Sequence, residues 1–174
     1  MQRAVFLDRD GVINALVPLP EDQRNSPRNA DEFELLPEAF DAIRLLNEAK
    51  WLVIIASNQP NIAKGKSTFA DLKAITDKMI YEFSTKGAYV DDVYYCTHHP
   101  DSKQVVVKEL LEECDCRKPK PGLLLKAADD WQINLSQSWM IGDSESDIQA
   151  GKAAGCRTLL VKGGLRIEDI YRLC

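Results

Sequence analysis

Histidine is scarce in this chain, two in 174 residues, and several larger features are missing with it. No apolar run approaches the roughly 20 residues a helix needs to cross a bilayer. The start, Met1 into Ala4-Val5-Phe6-Leu7, has neither an extended apolar core nor a small-residue cleavage site. The expectation is no signal peptide, no spanning helix, no membrane partner and a cytoplasmic location. Basic excess is also absent: 22 Lys and Arg stand against 27 Asp and Glu, a net charge of −5. A nucleic-acid binder normally carries a basic patch, so no nucleic-acid partner is expected. Internal repeats and low-complexity segments do not occur. The length leaves no room for a second domain, and residues 1–174 are expected to form one domain that buries a core without disulfides. In a reducing compartment the five cysteines read as free thiols, and clustered ones as metal ligands.

Short apolar runs alternate with longer amphipathic stretches, the pattern of an α/β, Rossmann-like parallel sheet flanked by helices on both faces. The runs predict strands near residues 3–7, 52–57, 92–96, 138–142 and 158–161. Helices are expected at about 37–49, 68–85, 122–131 and 146–154, with Pro37 in a first turn and Phe40, Ile43 and Leu46 on one face. Two connections exceed ordinary loop length, Ala15 to Phe33 and Cys96 to Arg117. Both leave the C-terminal ends of strands, where open α/β sheets bind ligands, so the active site should lie between them.

Phe6-Leu7-Asp8-Arg9-Asp10-Gly11 sets two aspartates after a strand and before a glycine turn. There one carboxylate can attack phosphorus while the other manages the proton, with Asp8 as nucleophile and Asp10 as acid and base. A metal on Asp8 would hold that carboxylate ionised and so separate the two proton affinities. Asp-x-Asp by itself equally suits a calcium loop or a solvated strand end. Three further segments follow: Ser57-Asn58-Gln59, Arg117-Lys118-Pro119 and Gly142-Asp143-Ser144-Glu145-Ser146-Asp147. The Ser57 hydroxyl and the amides of Asn58 and Gln59 would grip phosphoryl oxygens, although Ser-Asn after a strand is also a helix-cap signal. Lys118 would neutralise the nucleophile and the transferring group. Arg117 offers a bidentate fork for substrate phosphate. The bland reading of this pair is a solvated basic turn. Cys96-Thr97-His98-His99 and Cys114-Asp115-Cys116 supply three thiols and an imidazole. Cys96, His98, Cys114 and Cys116 would make a closed four-ligand structural zinc site, with His99 left as a loop residue, although a buried free cysteine also serves as a small hydrophobe. Fixing Cys116 would fix the root of Arg117 and Lys118. Cys156 reads as buried and Cys174 as a frayed terminus.

In order and spacing these segments resemble the haloacid-dehalogenase (HAD) superfamily of aspartate-nucleophile phosphatases over nearly the whole chain. The resemblance implies magnesium held by Asp8, the main-chain carbonyl of Asp10 and Asp143, with Asp147 assisting by hydrogen bonding or only occupying a helix first turn. Asp-Arg-Asp-Gly joined to Cys-x-His…Cys-x-Cys-Arg-Lys-Pro is similar to the cap-less heptose-bisphosphate phosphatase and histidinol-phosphatase group that carries this zinc loop. Tyr94-Tyr95-Cys96-Thr97-His98-His99-Pro100, Lys118-Pro119-Lys120-Pro121-Gly122 and Asn58-Gln59 with Ile62-Ala63-Lys64-Gly65 are closer to the heptose branch. That likeness implies removal of the 7-phosphate from D-glycero-D-manno-heptose 1,7-bisphosphate, toward nucleotide-activated heptose for surface glycans. The implied partner is a small phosphorylated sugar, and the cap-less form implies a monomer. Histidinol phosphate is the alternative substrate. An inactive zinc-stabilised binding module is the non-enzyme alternative, against which the joint presence of Asp8, Asp10, Lys118 and Asp143 speaks. The chain departs from the pattern at Ala15-Leu16-Val17-Pro18-Leu19 and Glu21-Asp22-Gln23-Arg24, where the group carries an aspartate, a His-Gly pair and a tyrosine. It departs again at Pro60-Asn61 and at Ser144, with Arg24 or Arg28 as a replacement phosphate contact or as surface charge.

Overall fold

The computed structural model describes residues 2–18 and 24–173. Leu19, Glu21, Asp22, Gln23 and Cys174 lie outside the described residues, as does the side chain of Arg24. Five strands form one parallel sheet: β1 (Ala4–Leu7), β4 (Leu52–Asn58), β5 (Asp92–Cys96), β6 (Trp139–Gly142) and β7 (Arg157–Leu160). Their order across the sheet is β5-β4-β1-β6-β7. From β1 the chain winds outward through β4 to β5, then crosses back to lay β6 on the other side of β1. The crevice between the carboxyl ends of β1 and β6 is therefore the switch point at which such sheets take ligands.

All four residues of β1 are buried, as expected for a central strand covered on both faces. Alternate side chains feed two separate cores. Val5 and Leu7 join the core built with α1 (Ala39–Glu48), α2 (Phe69–Ser84) and α5 (Ile167–Tyr171), while Ala4 and Phe6 join the one built with α3 (Gly122–Trp131) and α4 (Glu145–Ala154). On α1 the periodic Ala39, Ala42, Ile43 and Leu46 are the buried stripe. Thr68 and Asp71 form a reciprocal capping box at the start of α2.

The expected strands and helices are all present with ends shifted by two residues at most. Pro37 sits in a turn before α1 rather than in its first turn. Several small pieces were not anticipated, among them a 3-10 turn at Leu135–Gln137. Val17–Pro18 (β2) and Arg24–Asn25 (β3) pair antiparallel inside the Ala15–Phe33 connection, single-turn 3-10 helices occur at Ala30–Glu32 and Lys108–Leu110, and α5 closes the α1 face. Among the described residues no helix is long and apolar enough to cross a membrane.

Candidate active site and metal loop

The backbone amide of Asp8 donates to Ile141 O (3.0 Å), so the strand end that carries Asp8 is tied to β6, which delivers Asp143. Gly11 turns the chain at φ +81°, and a Cβ there would overlap Asp143 Oδ2. Only glycine allows the turn to pass this close to the second aspartate. Opposite them lies Lys118, 3% exposed. Its ammonium is 3.0 Å from Asp8 Oδ1, ion-pairs with Asp147, and donates to Ala56 O at 2.7 Å. Burial works against the charge on Lys118, but Asp8 and Asp147 more than offset it and raise its pKa above the usual lysine value. Asp147 is fully buried, and its second oxygen accepts the Ser144 N–H at 3.0 Å. It is thus the counterion of Lys118 and part of the α4 cap at once.

Asp10 sits in a net that the sequence did not reveal. Arg9, wholly buried, donates from Nε (3.2 Å) and Nη2 (3.0 Å) to Asp10 Oδ1 and from Nη2 to Gln59 Oε1 (2.9 Å). Gln59 returns Nε2 to Asp10 Oδ2 (2.7 Å), and Asn14 Nδ2 donates to Oδ1 (3.0 Å). Burial alone would raise the Asp10 pKa, yet Arg9, Asn14 and Gln59 hold it below the usual carboxylate value. For Asp8, burial raises the pKa with help from Asp147 and Asp10, against the pull of Lys118. In the protein alone the order of the two proton affinities is therefore the reverse of that expected with a cation on Asp8.

The expected substrate contacts divide. Ser57 is buried beside Asp8, its Oγ accepting from Gln59 Nε2 at 3.1 Å. The Gln59 amide donates to Cys96 O (2.7 Å) and its side chain bonds Asp10 and Ser57, so these groups are engaged within the protein. The Asn58 side chain grips the backbone of Lys118 at both ends, donating to its O (3.0 Å) and accepting from its N–H (3.1 Å). Half-buried Arg117 donates to His98 O at 3.3 Å. Arg28 is engaged with Glu32, Nε to Oε1 at 3.0 Å, and does not point to the site. Asn61, one of the departures, is buried and donates to Ser26 O at 3.2 Å, tying the Ala15–Phe33 segment to the mouth. A cavity of about 360 Å³ opens beside Gly11 and Asp143, walled by Ala15, Leu16, Pro18 and Leu36.

The donor set fits magnesium. One oxygen each from Asp8, Asp143 and Asp147 lies within 4.8 Å of the others. No described backbone N–H bonds to the Asp10 carbonyl, which leaves that oxygen available. Burial and the charges of Asp8 and Asp147 push Asp143 up to about 6, the strain that a divalent cation would relieve. Asp147 is the least suited of the three, since Lys118 and Ser144 already occupy it.

The second cluster fits zinc. Cys96, His98, Cys114 and Cys116 offer four ligand atoms within 4.8 Å of one another. The sulfur of Cys116 is 3.0 Å from Cys96 and 3.1 Å from Cys114, and the sulfurs of Cys96 and Cys114 are 3.5 Å apart. A tetrahedron with Zn–S near ~2.3 Å has edges of roughly 3.8 Å, so the cage needs only slight expansion. Burial favours a neutral Cys114, but hydrogen bonds from Cys116, His98 and Cys96 bring its thiol down to about 7. His99 stands outside the cluster, its Nδ1 accepting from the Asp101 N–H at 3.2 Å. Cys156 is buried, as expected.

Residues 115–171 match the HAD-hydrolase-like family. The D-glycero-beta-D-manno-heptose-1,7-bisphosphate 7-phosphatase of Escherichia coli K12 is 38% identical over 162 residues, 92% of this chain and 80% of that protein. The D,D-heptose 1,7-bisphosphate phosphatase of B. bronchiseptica, crystallised with magnesium and phosphate, superposes with a TM-score of 0.78 at 33% identity, covering 99% of this chain and 87% of that one. A putative HAD-like phosphatase from Mesorhizobium loti reaches a TM-score of 0.84 at 28% identity, over 99% and 85%.

Proposed function

We infer that this chain, which belongs to the D-glycero-beta-D-manno-heptose-1,7-bisphosphate 7-phosphatase family, is a magnesium-dependent phosphatase that removes the 7-phosphate of that sugar through an aspartyl-phosphate on Asp8. The observation that carries the reading is the meeting of Asp8, Lys118 and Asp143 at the switch point of the sheet. Asp8 attacks phosphorus, and the buried ammonium of Lys118 neutralises the nucleophile and the transferring oxygens in a site of low dielectric. Ser57, next to Asp8, donates its hydroxyl to a phosphoryl oxygen. With a cation holding Asp8 ionised, the proton of the pair would move to Asp10, which gives it to the departing sugar oxygen and then takes one from the water that cleaves the acyl phosphate. Arg9, Asn14 and Gln59 keep the Asp10 carboxylate in place before substrate arrives, so little ordering remains to be done in the transition state. Magnesium, held by Asp8, the Asp10 carbonyl and Asp143, supplies charge that shields Asp8 from the anionic phosphoryl group. Arg117 and its neighbour Lys64 place positive charge along the zinc-loop side, suited to the remaining phosphate of a bisphosphate.

The test is phosphate release from the heptose bisphosphate and from histidinol phosphate, assayed side by side with and without Mg²⁺. Preference for the heptose bisphosphate, full dependence on Mg²⁺ and loss of about 10³-fold or more in kcat for Asp8→Asn support the reading. Equal or better turnover of histidinol phosphate moves the assignment to that substrate. Undiminished activity of Asp8→Asn removes the mechanism.

A further inference from the structure

We propose that Glu112 is a positioning residue of the zinc site, acting through His98. The proposal rests on the metal reading of the Cys96, His98, Cys114 and Cys116 cluster and not on the identity of the substrate. The two imidazole nitrogens of His98 face different chemistry. Nδ1 lies 3.6 Å from the Cys116 sulfur, on the cluster side. Nε2 lies 3.3 Å from Glu112 Oε2, on the outer side.

A histidine ligates a metal through a nitrogen that carries no proton, so the other nitrogen must keep its hydrogen. A carboxylate at the far nitrogen fixes that tautomer, sets the plane of the ring and makes the ligating nitrogen more basic. Glu112 meets these requirements on one side of the ring while the sulfurs occupy the other. The placement is built into the backbone. His99 N–H donates to Leu110 O (3.0 Å), Glu112 N–H donates to His99 O (3.3 Å), and His99 pairs with Leu111 as a parallel bridge. These bonds lay residues 110–112 alongside 98–99, so Glu112 reaches Nε2 from a fixed root although its side chain is 56% exposed. Glu113, next in sequence, is 83% exposed and turns toward Lys120 instead (3.9 Å). The two adjacent glutamates therefore separate position from charge.

The experiment uses the full chain and reads metal binding directly. Zinc affinity is measured by competition with a chromophoric chelator, the absorption spectrum of the Co²⁺-substituted protein reports ligand geometry, and the His98 tautomer is read from ¹⁵N imidazole shifts. Glu112→Ala is expected to weaken zinc binding about 10- to 100-fold, to alter the Co²⁺ bands and to mix the tautomers. Glu112→Gln keeps an acceptor and should stay within a few-fold of the unmodified protein. Glu113→Ala, which removes the same charge one residue away, should change nothing. Unaltered affinity and spectrum in Glu112→Ala would overturn the proposal. So would equal weakening by Glu112→Ala and Glu113→Ala, which would mean a general charge effect. Loss of activity with zinc affinity unchanged would count against Glu112 and leave the phosphatase reading untouched.

Discussion

Arg9 shows why part of the site could not be read from residue types alone. An arginine between two aspartates ordinarily belongs to solvent, whereas here its guanidinium is wholly buried and forks onto Asp10 and Gln59. The pattern Asp-x-Asp pointed to Asp8 and Asp10 as candidate carboxylates, but nothing local in it says that the residue between them turns inward. Arg9→Lys keeps charge and loses the fork, so kcat should fall roughly 10- to 100-fold with a smaller change in KM. Lys118 is a stricter case. Lys118→Met leaves Asp8 and Asp147 facing each other without their cation, and breaking such a buried pair costs about 3–5 kcal/mol. Urea denaturation should show that loss, alongside turnover at background level. Asp143 would contribute to the pH dependence if it holds the cation. Its pKa is raised to about 6, so below that pH a proton competes with the cation for the carboxylate, and above it the ligand is free. The Mg²⁺ concentration for half-maximal activity should therefore climb as pH falls below about 6, by up to about tenfold per unit, and level off above it.

Among the elements, the central strands and four main helices were legible because each has a pattern of ordinary length. α5 was not: five residues offer hardly more than one turn of periodicity. The β2–β3 pairing is two residues a side, too short for any alternation to register. The Cys96, His98, Cys114 and Cys116 cluster was visible from its spacing, while Glu112 stands in a run of ordinary surface charges. Arg117 donates to the carbonyl of His98, and Lys118 follows directly, so zinc held by the Cys/His cluster would steady the root of Lys118. Stripping zinc with a chelator should lower kcat and loosen the 97–117 segment to limited proteolysis, and added zinc should restore both. The start of α2 gives a control remote from the site. Thr68→Ala removes the box with Asp71 and should cost about 1 kcal/mol by thermal denaturation with activity unchanged.

Across the whole molecule, two cores on opposite faces of one sheet share the burden of stability. Phe6 anchors the α3–α4 side and Ile55 the α1–α2 side, each fully buried. Phe6→Ala should cost about 3–5 kcal/mol and Ile55→Ala about 2–5. Their side chains enter different cores but their backbones are neighbours one position out of register, so urea titration of the double variant reads how strongly the two cores are coupled through the sheet. The alternation of runs and amphipathic stretches was enough to anticipate this layering, since it reflects which faces must leave water. The switch in strand order also has a consequence for synthesis. Asp8 emerges early, but the neighbour that ties its strand end, and that delivers Asp143, is β6. A nascent chain that has left the ribosome only as far as α3 holds β1 with one edge bare and Asp8 without Asp143 beside it. The pairing that brings Asp143 beside Asp8 forms only when the final third has been translated and laid against the first strand, and until then that edge has no partner strand.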